Sequence, residues 1–87
     1  MIDLDSFDFE IISPQESSRQ KIYWIEIESP TGSFFVGPQH SPLVSTIKRK
    51  SFVVYKKIDG LDEIKLMVHE GFFKINTQGQ ATLVITL

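Results

Sequence analysis

The sequence predicts an all-β protein, a small sandwich or barrel of short strands. Three observations carry that expectation. Apolar residues recur with period 2 rather than 3.6 along most of the chain, the spacing of strands that lay one face on a core. Turn-forming residues interrupt the alternation at intervals of roughly 8–12 residues, the rhythm of a sandwich or barrel. No stretch of about ten residues, the usual minimum for a helix, carries an amphipathic stripe.

The elements follow in order. Phe7, Phe9 and Ile11 share one parity, with Asp8 and Glu10 between them, and Ser13-Pro14 ends the run. In the second run Tyr23, Ile25 and Ile27 share a parity, with Glu26 and Glu28 on the other. If Ile25 and Ile27 face the core, Trp24 faces outward. An outward tryptophan is an interface anchor, because indole gives large contact area at low entropic cost. Alternatively Ile22 and Trp24 cover a secondary core under a loop, and the sequence leaves both open. Ser29-Pro30-Thr31-Gly32 is a turn. Residues 42–50 are the best helical candidate, but they are few and include Ser45, Thr46 and Ile47, poor helix formers. Residues 52–58 form a strand of β-branched and aromatic residues, with Phe52 and Val54 inward and lysines outward at its ends. Asp59-Gly60 is a hairpin turn. Beyond it Ile64, Leu66 and Val68 alternate with Lys65 and Met67. After the turn Asn76-Thr77-Gln78-Gly79, Leu83, Ile85 and Leu87 alternate with Thr82 and Thr86.

At 87 residues the chain makes one domain, and 41% hydrophobic with 23% charged residues is a globular mixture. The longest apolar runs, residues 22–25 and 34–36, fall far below the ~20 residues of a spanning helix. No basic start followed by an apolar stretch marks a secretory signal. With no cysteine, disulfides and thiolate metal sites are excluded, which fits a reducing compartment. The net charge of −2 is uneven. Asp3, Asp5, Asp8, Glu10 and Glu16 open the chain with no Lys or Arg among residues 1–16. Such a start argues against a nucleic-acid-binding arm and reads as a solvated acidic lead-in.

Chemistry-bearing patterns are sparse. His40 and His69 are far apart, and neither has a second ligand at metal spacing. No Ser-His-Asp grouping is visible. Gly32, Gly37, Gly60, Gly71 and Gly79 are scattered, and none opens a helix as a phosphate loop does. Asp62-Glu63 reads as a solvated hairpin end. No catalytic, metal-ligating or cofactor-binding residue is expected, and an enzyme is the weakest class. The stretch from Lys48 to Lys57 (Lys48-Arg49-Lys50-Ser51-Phe52-Val53-Val54-Tyr55-Lys56-Lys57) allows a second reading. Basic residues flanking strand aromatics suit an OB-like single-stranded nucleic-acid platform, in which bases stack on rings and cations hold phosphates.

The run from Ser29 to Lys48 holds Gly32, Val36, Pro38, His40 and then Pro42-Leu43-Val44. It resembles the epsilon subunit of F-type ATP synthases (called delta in mitochondria), which carries the pattern "EGE-LGI-PGHAPLL". Gly32 matches the first glycine, Val36 the next aliphatic, and Pro38, His40 and Pro42-Leu43-Val44 the remainder. Gly71-Phe72-Phe73-Lys74-Ile75 is similar to the strand that the family opens with two glycines. Residues 81–86 resemble its next strand, and Phe9-Glu10-Ile11-Ile12-Ser13-Pro14 resembles its opening "L-V-I-V-T-P". The resemblance runs in unbroken order over residues 8–87, after an acidic lead-in at residues 1–7. Phe35 and Gln39 stand where the family has glycine, and His69-Glu70 where it has Ser-Gly. A side chain with a Cβ tolerates φ > 0 poorly, so Phe35 and Gln39 bear on the loop conformation.

The resemblance implies an all-β, two-layer β-sandwich of about 8–10 short, mostly antiparallel strands. It implies a non-catalytic rotor subunit of the central stalk, wedged between the gamma subunit and the polar loops of the membrane rotor ring (the c subunits). Rotation is thereby transmitted for proton- or sodium-driven ATP synthesis, with neither nucleic acid nor cofactor involved. Membrane association is peripheral, through the complex, at the cytoplasmic face of the bacterial inner membrane or an equivalent organelle membrane. The ring-facing surface implied is Thr31, Gly32, Ser33, Gln39 and His40, while Trp24, Ser41 and Pro42 fall to the gamma subunit or another protein. On the plainer reading Gly32, Pro38 and Pro42 only shape the loop. Ser33 stands where the family often has glutamate, so one charge contact to the ring is missing. Many members continue into a C-terminal helical hairpin, and no such inhibitory device is expected here.

Overall fold

The computed structural model describes residues 5–60 and 62–86. Asp3 of the acidic start and the parity read for Leu87 lie outside them. The alternating runs become eight strands: β1 (Phe7–Ile12), β2 (Ser17–Ser29), β3 (Gly32–Val36), β4 (Leu43–Thr46), β5 (Ser51–Lys57), β6 (Glu63–Val68), β7 (Glu70–Ile75) and β8 (Ala81–Thr86). The best helical candidate, residues 42–50, is instead strand β4 followed by a turn. Its β-branched residues suit a pleat better than a helix.

The strands hydrogen-bond in the order β4-β7-β8-β1-β2-β5-β6, with β3 also on β2. Every pairing is antiparallel except β1 with β8. One strand serves both layers. Of the 13 residues of β2, Ser17 to Ile22 pair with β1, while Ile25 to Ser29 pair with β3. The first part of β2 thus completes the layer β4-β7-β8-β1. The second part, with β3, β5 and β6, makes the other. The layers meet through aromatic rings. Phe9 of β1 meets Tyr55 of β5 edge-on at 5.1 Å between centres, and Phe34 of β3 meets Phe73 of β7 at 6.4 Å. Around them Ile22, Ile25, Ile27, Val36, Val53, Val68 and Leu83 are fully buried.

The parity of β2 is not single. Ile22 pairs with Lys57 and Trp24 with Lys56, so Tyr23 is an extra residue in that ladder. A bulge advances the side-chain phase by one. Ile22 and Ile25 therefore both face the core, while Tyr23 is exposed rather than sharing the face of Ile25 and Ile27. The bulge lies where β2 leaves β1 for β3.

Strand β5 also departs from expectation. Val53 and Tyr55 are buried, whereas Phe52 is 40% exposed and Val54 half-buried. The inward set is the one whose ring reaches Phe9, and its cross-strand partners on β6 are Leu66 and Ile64. Outside, Lys65 covers Phe52, with Nζ 4.6 Å from the ring centre.

Strands β6 and β7 are separated only by His69 and carry the chain from one layer to the other. Gly71 follows that corner. A Cβ there would overlap the Val84 carbonyl oxygen and press on Ile85, so only glycine lets β7 approach β8.

Candidate protein-docking surface

The β2–β3 hairpin closes with Ser29 opposite Gly32 around Pro30-Thr31. Gly32 has φ 144°, a conformation that favours glycine, although open space surrounds its α-carbon. Ser29 organises the turn. Its hydroxyl donates to the Gly32 carbonyl at 2.8 Å, and the Thr31 N–H donates to the Ser29 Oγ at 3.3 Å. Thr31, Gly32 and Ser33 are all exposed.

The β3–β4 loop crosses between the layers. Gln39 turns at φ 61°, the left-handed region, and is exposed. His40 is half-buried, and its Nδ1–H donates to the Ser41 carbonyl at 2.8 Å. Ser41 and Pro42 are exposed. Strand β3 separates this loop from the hairpin, and at ~3.3 Å per residue it holds the two groups more than about 10 Å apart. Thr31, Gly32 and Ser33 therefore form one patch, and Gln39 and His40 another.

Trp24 lies on the outer face of the second layer, where it stacks on Phe35 with centres 5.4 Å apart and planes at 29°. It is half-buried. Phe35 takes no positive φ; it is a regular strand residue opposite Glu26, and it is 58% exposed. The same face carries Phe52 opposite Met67, each 40% exposed, and Val54 opposite Lys65. Phe35, Phe52 and Met67 are the members that reasoning from the sequence missed. The adjacent pair Phe34-Phe35 was the available signal, since in a strand two neighbouring rings cannot both face the core.

Electrostatics divide the surface. On the outer face of the first layer Asp8 pairs with Lys21 at 3.2 Å and Glu10 with Arg19 at 3.4 Å, each directly across the β1–β2 ladder. Asp8 and Glu10 are thus ladder residues rather than part of a merely solvated acidic run. The β4–β5 turn presents Lys48, Arg49 and Lys50. Of the two rings in the Lys48-to-Lys57 stretch, Tyr55 is buried and Phe52 exposed, so no row of stacked rings forms for nucleic-acid bases. Among the described residues no group of three His, Cys, Asp or Glu is placed to hold a metal ion. Among the described residues there is no helix long and apolar enough to cross a membrane. The arrangement offers adhesion: an aromatic face, a polar hairpin tip and a cationic turn.

No curated protein matches the chain in sequence. Solved structures match its fold. A chain in the Euglena gracilis mitochondrial ATP synthase (OSCP/F1/c-ring, rotational state 1) superposes with a TM-score of 0.83 at 14% identity, covering 93% of this chain and 51% of that one. A chain in the Tetrahymena thermophila mitochondrial ATP synthase (central stalk/c-ring) gives 0.79 at 5% identity, covering 93% of this chain and 63% of that one. The chain thus spans between half and two thirds of the length of these structural relatives. The family model for the ATP synthase delta/epsilon chain, beta-sandwich domain, matches residues 6–85. With nearly its whole length inside that match, the chain belongs to the ATP synthase delta/epsilon-chain β-sandwich family.

Proposed function

We propose that the chain is a non-catalytic subunit of the central stalk of a rotary ATP synthase, fixing a gamma-type shaft subunit to the membrane rotor ring. The observation that carries this reading is the family match over residues 6–85 on a chain folded as the sandwich that the family name describes. The two similar structures, titled as ATP synthase assemblies with a c-ring, support it. The physical task is stiffness. A close-packed two-layer core transmits torque because its interior has no slack to deform. The outer aromatic face of Trp24 and Phe35, with Ser41 and Pro42 on the β3–β4 loop, suits the shaft subunit. The hairpin patch of Thr31, Gly32 and Ser33 suits the polar ring loops, and Gln39 and His40 form a second contact. The chain is peripheral to the membrane, held through the complex at the cytoplasmic face of a bacterial inner membrane or its organelle equivalent.

Co-purification tests the reading. A tagged chain solubilised in mild detergent is expected to bring down a gamma-type subunit and ring subunits. Recovery of neither, from cells that make both, rules it out.

A further inference from the structure

The β4–β5 turn carries three consecutive exposed cations, Lys48, Arg49 and Lys50. Its backbone is held on three sides. The Lys48 N–H donates to the Glu28 carbonyl at 2.8 Å, the Lys50 N–H to the His69 carbonyl at 3.2 Å, and the Ser51 hydroxyl to the Lys48 carbonyl at 2.6 Å. The first of these bonds ties the turn to β2 beside Ser29, the residue that closes the hairpin on Gly32. Cations and hairpin tip therefore share one end of the sandwich. Among the described residues the carboxylate paired with this turn is Glu70, 3.1 Å from Arg49, while Glu28 meets it through its backbone carbonyl. Among the described residues Lys48 and Lys50 make no ion pair. The hairpin adds only the uncharged Thr31 and Ser33.

A second observation is independent of charge. Lys50 adopts φ 54°. Glycine takes that conformation freely, whereas a residue with a Cβ is strained in it. The turn keeps a lysine where the backbone favours glycine, and strain retained at an exposed position points to a use for the side chain.

We infer that Lys48 and Lys50 are a docking point for a carboxylate-bearing loop of the rotor ring. The inference rests on the stalk-subunit reading and names the chemistry of the partner at the hairpin end. Two ammonium groups held on a rigid end attract acidic loops and repel basic ones, which sets partner choice more than raw affinity. An anionic bilayer surface is the weaker fit, since recruitment by lipid takes roughly 4–8 clustered cations.

The test uses the solubilised complex together with the purified chain. Lys50→Gly is expected to raise the thermal midpoint of the chain, because it removes strain. The same variant is expected to weaken salt-resistant retention of the ring roughly two- to fivefold, the range of one exposed ion pair. Lys48→Gln is expected to weaken retention similarly with no gain in stability. Zero-length carbodiimide coupling is expected to join Lys48 or Lys50 to a ring aspartate or glutamate. If Lys50→Gly gains stability and holds the ring as the wild type does, the inference falls while the stalk reading stands. Loss of ring contact on delipidation, with no such coupling product, also overturns it. A wild-type chain that brings down no ring overturns both.

Discussion

Phe9 and Tyr55 meet edge-on across the interior, ring centres 5.1 Å apart at 63°, and join the two layers through strands β1 and β5. Phe9 is 1% exposed, so truncation leaves a cavity that neighbouring strands cannot collapse to fill. Phe9→Ala is expected to cost about 3–5 kcal/mol. That is a large share of the ~5–15 kcal/mol of a small domain. Urea unfolding measures it. A loss below about 1 kcal/mol, within the range of a surface change, contradicts the packing described.

Gly71 gives a sharper backbone test. The Cβ of an alanine there collides with the Val84 carbonyl oxygen, an atom of the β8 ladder that cannot swing aside. Gly71→Ala is expected to lose about 3 kcal/mol, the upper end of overpacking costs. Gly37 has nothing within 4 Å of the same position and no positive φ, so Gly37→Ala serves as the control with little expected change. Equal midpoints for the two variants in a denaturant series contradict the close approach of β7 to β8.

Gln39 predicts the opposite sign. At φ 61° it carries about 1–2 kcal/mol of left-handed strain. Glycine removes the strain but gives back about 0.4–1 kcal/mol through a freer unfolded chain. Gln39→Gly is therefore expected to stabilise by roughly 0.8 kcal/mol, the difference between the mid-points of these terms. A thermal midpoint at or below that of the wild type counts against the loop geometry.

The ladder of Asp8–Lys21 and Glu10–Arg19 looks stabilising and is expected to matter little. Arg19 keeps 83% of its side chain in solvent, and both Asp8 and Lys21 stay more than half exposed. Water screens such pairs to about 0–1 kcal/mol each. Glu10→Gln is expected to shift stability by less than about 0.5 kcal/mol, and added salt to erase the shift. A larger, salt-independent loss means that Glu10 does something beyond this pair.

Period 2 identified β1, β2, β6 and β8, and Ser13-Pro14, Ser29-Pro30-Thr31-Gly32, Asp59-Gly60 and Asn76-Thr77-Gln78-Gly79 marked the turns beside them, because both signals are local. The β4–β5 turn at Lys48-Arg49-Lys50 and the corner at His69 carry no such residue, and β4 lies within the best helical candidate. What the sequence hid was phase. The Tyr23 bulge depends on how β2 meets Lys56 and Lys57 of a distant strand, which no local pattern encodes. The facing of β5 was hidden for a related reason. Phe52-Val53-Val54-Tyr55 is apolar on both parities, so only the fit of Tyr55 against Phe9 decides which side is in. The hairpin and loop residues of the candidate site were legible through Gly32, Pro38 and His40. The aromatic face was not, because Phe35, Phe52 and Met67 come from three strands and meet only in the folded sheet.

That face yields the last prediction. Trp24 and Phe35 stack at 5.4 Å on the outer surface, where the stack buries only part of each ring. Because neither ring fills the core, truncating Phe35 is expected to cost the isolated chain less than about 1 kcal/mol. A face that docks on a shaft subunit desolvates both rings, and central aromatic anchors are typically worth ~2 kcal/mol or more in binding. Trp24→Ala and Phe35→Ala are each expected to weaken association with the gamma-type subunit by roughly 30-fold, the equivalent of that energy. Because the rings touch, the double variant is expected to lose less than the sum of the single losses. Titration of the purified shaft subunit with each variant reads all three values. Full affinity in both single variants removes this face from the interface and shifts the contact to the β3–β4 loop, where Ser41→Trp would then block it.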